Sequence, residues 1–190
     1  MRMFVEASLE QSVLDEVWSV GRRLAADSEF PERSLRWVKR EALHLTLRFI
    51  GEVELELLPD VTAALDELAD SGRFELTLSA LGTFGGRRPR VVKVGFAEDG
   101  GFERLLRLRR QLDGALSEVG FETERGPYRP HLTLGRVRRQ ATREDLAAIR
   151  EAVDAAPALQ ITSSVDRLAL VESTLLTSGP RYRRVAVVEL

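Results

Sequence analysis

Residues 43–51 read Leu43-His44-Leu45-Thr46-Leu47-Arg48-Phe49-Ile50-Gly51, and the tetrapeptide within them returns as His131-Leu132-Thr133-Leu134. The two copies stand 87 positions apart and hold both histidines of the chain. A given histidine is followed by Leu-Thr-Leu by chance on the order of once in a thousand, so two matched copies are a strong signal. The pattern predicts a strand at each place, from Leu43 to Ile50 and near His131 to Val137. Successive side chains on a strand change face, so each histidine shares a face with the threonine two places on. Their Cα atoms lie about 6–7 Å apart, and the leucines turn to the other face, into a core. An imidazole beside a hydroxyl results twice over.

Outward from these strands, the chain alternates strand and helix patterns. Arg2 to Ser8 reads as a strand, Ser8 to Gln11 as a capping box, and Val13, Val17, Val20 and Leu24 as a helical stripe over 10–27. Leu35 to Lys39 reads as a strand. Pro59 opens a helix to about Ala69, and Phe74 to Leu78 alternates as a half-buried strand. A Gly/Pro/Arg loop (Gly82 to Arg90) precedes a strand at Val91 to Phe96. Phe102 to Val119 is amphipathic with Gly120 as its stop, and Thr142 caps a helix to about Ala155. Strands near Leu159–Thr162, Arg167–Val171 and Tyr182–Glu189 finish the chain. This mixture with short connections predicts an α+β protein of mainly antiparallel sheets. A doubly wound nucleotide fold is not indicated, for no Gly-x-Gly-x-x-Gly or Gly-Lys-Ser/Thr loop occurs.

Composition narrows the function classes. The 190 residues are 44% hydrophobic and 31% charged, the balance of a soluble globular protein. Apolar runs are only a few residues long, against about 20 for a membrane span. Glu6 interrupts the N-terminal stretch, so no signal peptide is expected, and no lipidation signature occurs. A cytoplasmic protein is the expectation. Cysteine is absent, which removes disulfides, thiol nucleophiles and cysteine zinc sites. Lys39 and Lys93 are the only lysines, leaving 26 arginines among 28 basic residues. Their simplest role is on solvated faces, although the guanidinium fork also suits phosphate. The net charge of −2 supplies no global basic field, so an anionic substrate must be held by a local cluster.

Two histidines without His-x-His, His-Glu-x-x-His or cysteine make a poor metal set, and no Gly-x-Ser-x-Gly elbow supports a serine hydrolase. No metal and no cofactor are expected. What remains is one imidazole as base and one as acid around a group with exchangeable oxygens, which suits phosphodiester chemistry.

The duplicated His-x-Thr-x motif resembles that of the 2H phosphoesterase superfamily. The flanks resemble the bacterial and archaeal RNA 2′,3′-cyclic phosphodiesterases, historically called 2′-5′ RNA ligases. They run from Arg2 to Ala7, Trp37 to Val53, Tyr128 to Val137, and Ser173 to Tyr182 (STLLTSGPRY). The resemblance implies a single two-lobed domain over 1–190, with pseudo-two-fold symmetry around a central cleft. It also implies hydrolysis of an RNA 2′,3′-cyclic phosphate end to a 2′-phosphate. His44 would donate to the leaving 3′ oxygen, His131 would take a proton from water, and Thr46 and Thr133 would hold non-bridging oxygens. Arg136 matches an arginine common in that family, yet strand parity turns it away unless Gly135 marks a bulge. Arg129 could face the cleft mouth. Phe49 falls out of parity with His44 and Thr46, which favours core packing over base stacking. Tyr182 could stack or hydrogen-bond at the rim, and Arg87-Arg88-Pro89-Arg90 could face RNA or solvent. Reverse 2′-5′ ligation and a non-catalytic RNA-binding module are the alternatives. A monomer with no membrane partner is expected.

Overall fold

The computed structural model describes residues 1–177 and 179–190; Ser178, inside the tail segment quoted above, lies outside the described residues. In chain order the elements are β1 (Arg2–Ala7), α1 (Gln11–Ala26), β2 (Leu35–Trp37), β3 (Leu45–Glu52), α2 (Leu58–Asp66), β4 (Phe74–Phe84) and β5 (Val91–Phe96). They continue with α3 (Gly100–Glu118), β6 (Leu132–Val137), α4 (Arg143–Ala155), β7 (Ile161–Val165), β8 (Arg167–Leu176) and β9 (Gly179–Glu189). Every strand pairing is antiparallel. The order across the sheet is β7-β4-β5-β6-β3-β1-β8-β9, with β2 also on β6. The two halves meet at one residue pair, Leu45 with Leu132. The expected α+β architecture with two lobes is therefore built as one half of five strands, β2 included, and one of four, joined at the root of the two motifs.

The interval of 87 residues runs through the whole fold. It carries β1 onto β5, α1 onto α3, β3 onto β6 and α2 onto α4. After each repeat the chain crosses over. The strand after α2, β4, pairs with β5 of the second repeat, and β8, after α4, pairs with β1 of the first. Neither half is made by one repeat alone.

Local chemistry explains the ends of α3 and the start of α4. Thr142 and Asp145 form a reciprocal capping box on α4. The Asp99 carboxylate accepts from the N–H groups of Gly101 and Phe102 at the start of α3. Gly120, at φ +97°, closes α3 by donating to Ser117 O while Phe121 donates to Leu116 O. The capping box expected at Ser8 is not formed. Glu10 is the N-cap of α1 without a side-chain cap bond; its N–H donates to Ser163 Oγ and its carboxylate accepts from Ser164 N–H. Ser8 instead extends the β1 ladder by donating to Arg167 O. Tertiary bonds from β7 thus replace the local cap.

Two bulges position the site. On β3, Glu6 faces Thr46 but Val5 faces Arg48, so Leu47 is an extra residue. On β6, Lys93 faces Thr133 but Val92 faces Gly135, so Leu134 is extra. Each bulge shifts side-chain parity by one beyond the threonine. Leu45, Leu47, Leu132 and Leu134 are all buried, as their pattern requires.

Candidate active site

The cleft face of both halves encloses a cavity of about 900 Å³ lined by His44, Thr46, His131 and Thr133. Arg129, Arg136, Phe49 and Tyr182 line it as well. These eight sequence-nominated residues thus share one space, whereas the Arg87-Arg88-Pro89-Arg90 loop does not line it. For Arg136 the Leu134 bulge restores the cleft-facing parity, as the Gly135 condition required. Phe49 packs as expected against a buried cluster, that of Phe4, Ala169 and Val171, and it also lines the cavity. The Leu47 bulge returns its half-buried ring to the cavity, where the Arg2 guanidinium lies 4.8 Å from its centroid. Phe49 and Arg136 occupy matching places, five residues after each histidine.

Both histidines stand immediately before their strands, and each is held in the same way. The His44 Nδ1–H donates to Ala42 O at 2.9 Å, and the His131 Nδ1–H donates to Arg129 O at 2.8 Å. A carbonyl only accepts, so it fixes the proton on Nδ1 and leaves Nε2 as the working atom. Phe4 (4.8 Å) and Tyr182 (4.9 Å) flank the His44 ring; the edge of Phe84 meets the His131 ring at 4.8 Å. Burial pulls both imidazoles below the ordinary histidine range. For His44 the Ala42 carbonyl and then Glu6 oppose that shift, and Arg136 adds to it. For His131 the Arg129 carbonyl opposes it, while Lys93, Arg136 and His44 add to it. Burial also pushes the Tyr182 phenol up.

Arginines dominate the charged part of the lining. Arg36 and Arg136 are cross-strand partners on β2 and β6, and Arg2, Arg125 and Arg129 join them around the cavity. Among the described residues that line it, Glu124 is the only carboxylate, and it is bound to Arg109 at 2.8 Å. In a chain of net charge −2, that is the local cationic cluster an anionic substrate needs. No set of His, Cys, Asp or Glu that could hold a metal occurs among the described residues.

Beneath the cavity lies a buried network that the sequence reading did not single out. Because β3 leaves β6 after one pair, its next carbonyls lack a ladder on that side, and side chains take over. Tyr128 OH donates to Thr46 O at 2.7 Å, Arg109 Nη1 to Leu47 O at 2.8 Å, and Arg48 Nη1 to Phe49 O at 2.6 Å. Asp113 pairs with Arg48 Nε at 2.6 Å and with Arg109 Nε at 2.8 Å. Arg48 also donates to Glu122 O. The bulge that aims Thr46 and Phe49 is therefore clamped from below. Only the spacing Arg109-x-x-x-Asp113 hinted at it, and such pairs are usually solvated.

Comparison with known proteins agrees with the geometry. The family model described as the 2′-5′ RNA ligase superfamily matches residues 13–175. A protein of Methanothermobacter thermautotrophicus named RNA 2′,3′-cyclic phosphodiesterase is 31% identical over 193 residues, covering 100% of this chain and 99% of that one. One of the same name from Geobacillus stearothermophilus is 33% identical over 167 residues, 87% of this chain; the match spans 50% of that longer relative. Among solved structures, the protein TT0787 of Thermus thermophilus has a TM-score of 0.77 at 28% identity, covering 100% of this chain and 98% of that one. E. coli LigT complexed with 3′-AMP also has a TM-score of 0.77, at 25% identity over 100% of this chain and 97% of that one. With both motif-bearing repeats inside these matches, the chain belongs to the 2′-5′ RNA ligase superfamily.

Proposed function

We propose that this cavity hydrolyses the 2′,3′-cyclic phosphate end of an RNA to a 2′-phosphate, without a metal or cofactor. The observation that carries the reading is the pair of carbonyl-tethered imidazoles, each beside a hydroxyl, facing one arginine-lined space. His131 Nε2 accepts a proton from water as the water oxygen bonds to phosphorus. The P–O3′ bond breaks, and His44 Nε2–H delivers its proton to the 3′ oxygen. Thr46 and Thr133 donate to the non-bridging oxygens, where charge grows. Arg136 and Arg129 hold phosphate, and Phe49 and Tyr182 provide apolar contact to a base. Burial disfavours the imidazolium in the free protein, and a bound phosphate anion restores it at His44. The curated relatives' shared name, RNA 2′,3′-cyclic phosphodiesterase, supports the substrate class.

The test is an oligonucleotide ending in a 2′,3′-cyclic phosphate, incubated with excess chelator. Turnover to a 2′-phosphate is expected. Retention on a filter without turnover leaves a binding module. Loss with EDTA and recovery with one divalent ion points to a metallohydrolase. The family description also favours a second reading, 2′-5′ joining. There a 5′-hydroxyl takes the place of water, and an acceptor oligonucleotide in the same assay reports it.

A further inference from the structure

The two half-sites repeat at 87 residues, but the residue directly opposite each catalytic-strand threonine differs in charge. Glu6 on β1 faces Thr46, and Lys93, 87 positions on, faces Thr133 on the cleft side of β5. We propose that this oppositely charged pair sets the direction of proton transfer: Glu6 holds His44 as the acid, and Lys93 holds His131 as the base. This rests on the two-histidine reading above. It adds what that reading lacks, a physical reason why two near-identical motifs take different roles.

Both charges are built into the fold. Glu6 is buried, and its Oε1 accepts from Arg184 Nε at 2.8 Å, with Nη2 at ion-pair distance, also 2.8 Å. The Arg184 side chain is 60% exposed, so water screens its charge and the carboxylate is only partly offset. Lys93 is half-buried in a slot between two glycines; a Cβ at Gly82 or Gly95 would stand 3.3 Å or 3.2 Å from its Nζ. Among the described residues no carboxylate lies within ion-pair distance of it. Phe84 bridges it to the site, with its ring 5.2 Å from Nζ and 4.8 Å from the His131 ring. An apolar ring in that gap excludes water and preserves the interaction.

Burial opposes the imidazolium at both histidines, so the difference between them is sought in the charged groups around them. Arg136 disfavours charge on both imidazoles, and the carbonyls of Ala42 and Arg129 favour it on both. Tyr182 faces His44 as a neutral phenol. Among the fixed charges, what distinguishes the histidines is Glu6 favouring the imidazolium at His44 and Lys93 opposing it at His131, and a charged His44 disfavours charge on His131 in the same direction. Both are positioning residues acting through the imidazoles.

The chain has only two histidines, so proton NMR titration of the resting protein resolves both and needs no turnover. Glu6→Gln should lower the midpoint of His44 and leave His131 nearly fixed. Lys93→Gln should raise that of His131 alone, Lys93→Arg should restore it, and Arg184→Gln should raise that of His44. In turnover, Glu6→Gln should pull the alkaline limb of the pH profile down, and Lys93→Gln should push the acidic limb up. Unmoved midpoints in variants that remain folded overturn the proposal. Moved midpoints with a widened profile mean that the acid and base are reversed, and they overturn it too. Absence of turnover in the wild type, with the midpoints moving as stated, faults the enzymatic reading and leaves the electrostatic pair standing. A Glu6 variant that fails to fold leaves the Lys93 series to decide.

Discussion

Tethering Nδ1 to a carbonyl leaves an imidazole one free nitrogen, which can only accept when neutral and only donate when charged. A pair of such rings gives a bell-shaped dependence of turnover on pH, with its two limbs belonging to the pair. His131→Ala should flatten the acidic limb and His44→Ala the alkaline one, each with a loss of about 10²–10⁴-fold in rate. Burial lowers the His44 pKa in the free protein, and a bound phosphate opposes that shift. The alkaline limb of kcat should therefore lie at higher pH than that of kcat/KM; coincident limbs would show that substrate does not charge His44. The imidazole-hydroxyl pairs were legible from the repeated tetrapeptide alone. Glu6 and Lys93 were not, because a charged residue in a strand reads as solvated until its cross-strand partner is known.

At the scale of elements, the bulges at Leu47 and Leu134 decide which side chains line the cavity. Strict alternation handles His-x-Thr correctly and then fails, which is why Phe49 reads as core alone in the sequence but both packs on a core cluster and lines the cavity in the fold. Arg136 depended on the same point. A bulge leaves little trace in sequence beyond a glycine, and β3 lacks even that beside Leu47. Gly135 has a second duty: an added Cβ would stand 2.8 Å from buried Leu35 Cδ2 and 3.5 Å from Trp37. Gly135→Ala should cost about 1–3 kcal/mol in denaturant unfolding by overpacking; an unchanged midpoint would mean that β2 yields freely. The clamp under β3 makes a stronger demand. Arg109→Met leaves Asp113 and Leu47 O short of partners in a buried site, and should cost about 3–5 kcal/mol. Tyr128→Phe removes only the bond to Thr46 O, so a fall in kcat larger than the fall in stability is expected. Equal small effects would reduce Tyr128 to packing. The arginines here depart from the solvated role that composition suggested, since Arg48 and Arg109 are both buried.

Over the whole molecule, two repeats exchange strands so that one cavity receives a histidine from each. The strand and helix order was readable from periodicity, and the symmetry of the site from the 87-residue interval. The exchange of β4 and β8 was not, because pairing partners across the molecule leave no local pattern. Arginines from β1, β2, β6 and the segment before β6 gather around the cavity of a chain with net charge −2. Binding should therefore weaken with salt through local contacts, with log KM rising by about 0.7 per log salt for each phosphate held. A flat salt response would assign these arginines to structure. In the proposed reaction His44 and His131 together direct water at phosphorus and release the 3′ oxygen, and isotope labelling reads both events at once. A 2′,3′-cyclic phosphate oligonucleotide is hydrolysed in ¹⁸O-water with chelator present, and the product is analysed for linkage and label. The expected product of that reaction is only a 2′-phosphate carrying a single ¹⁸O on phosphorus, with at most about a hundredth as much formed in the same time by His44→Ala or His131→Ala. A 3′-phosphate, a product without label on phosphorus, or undiminished turnover in either variant would contradict it.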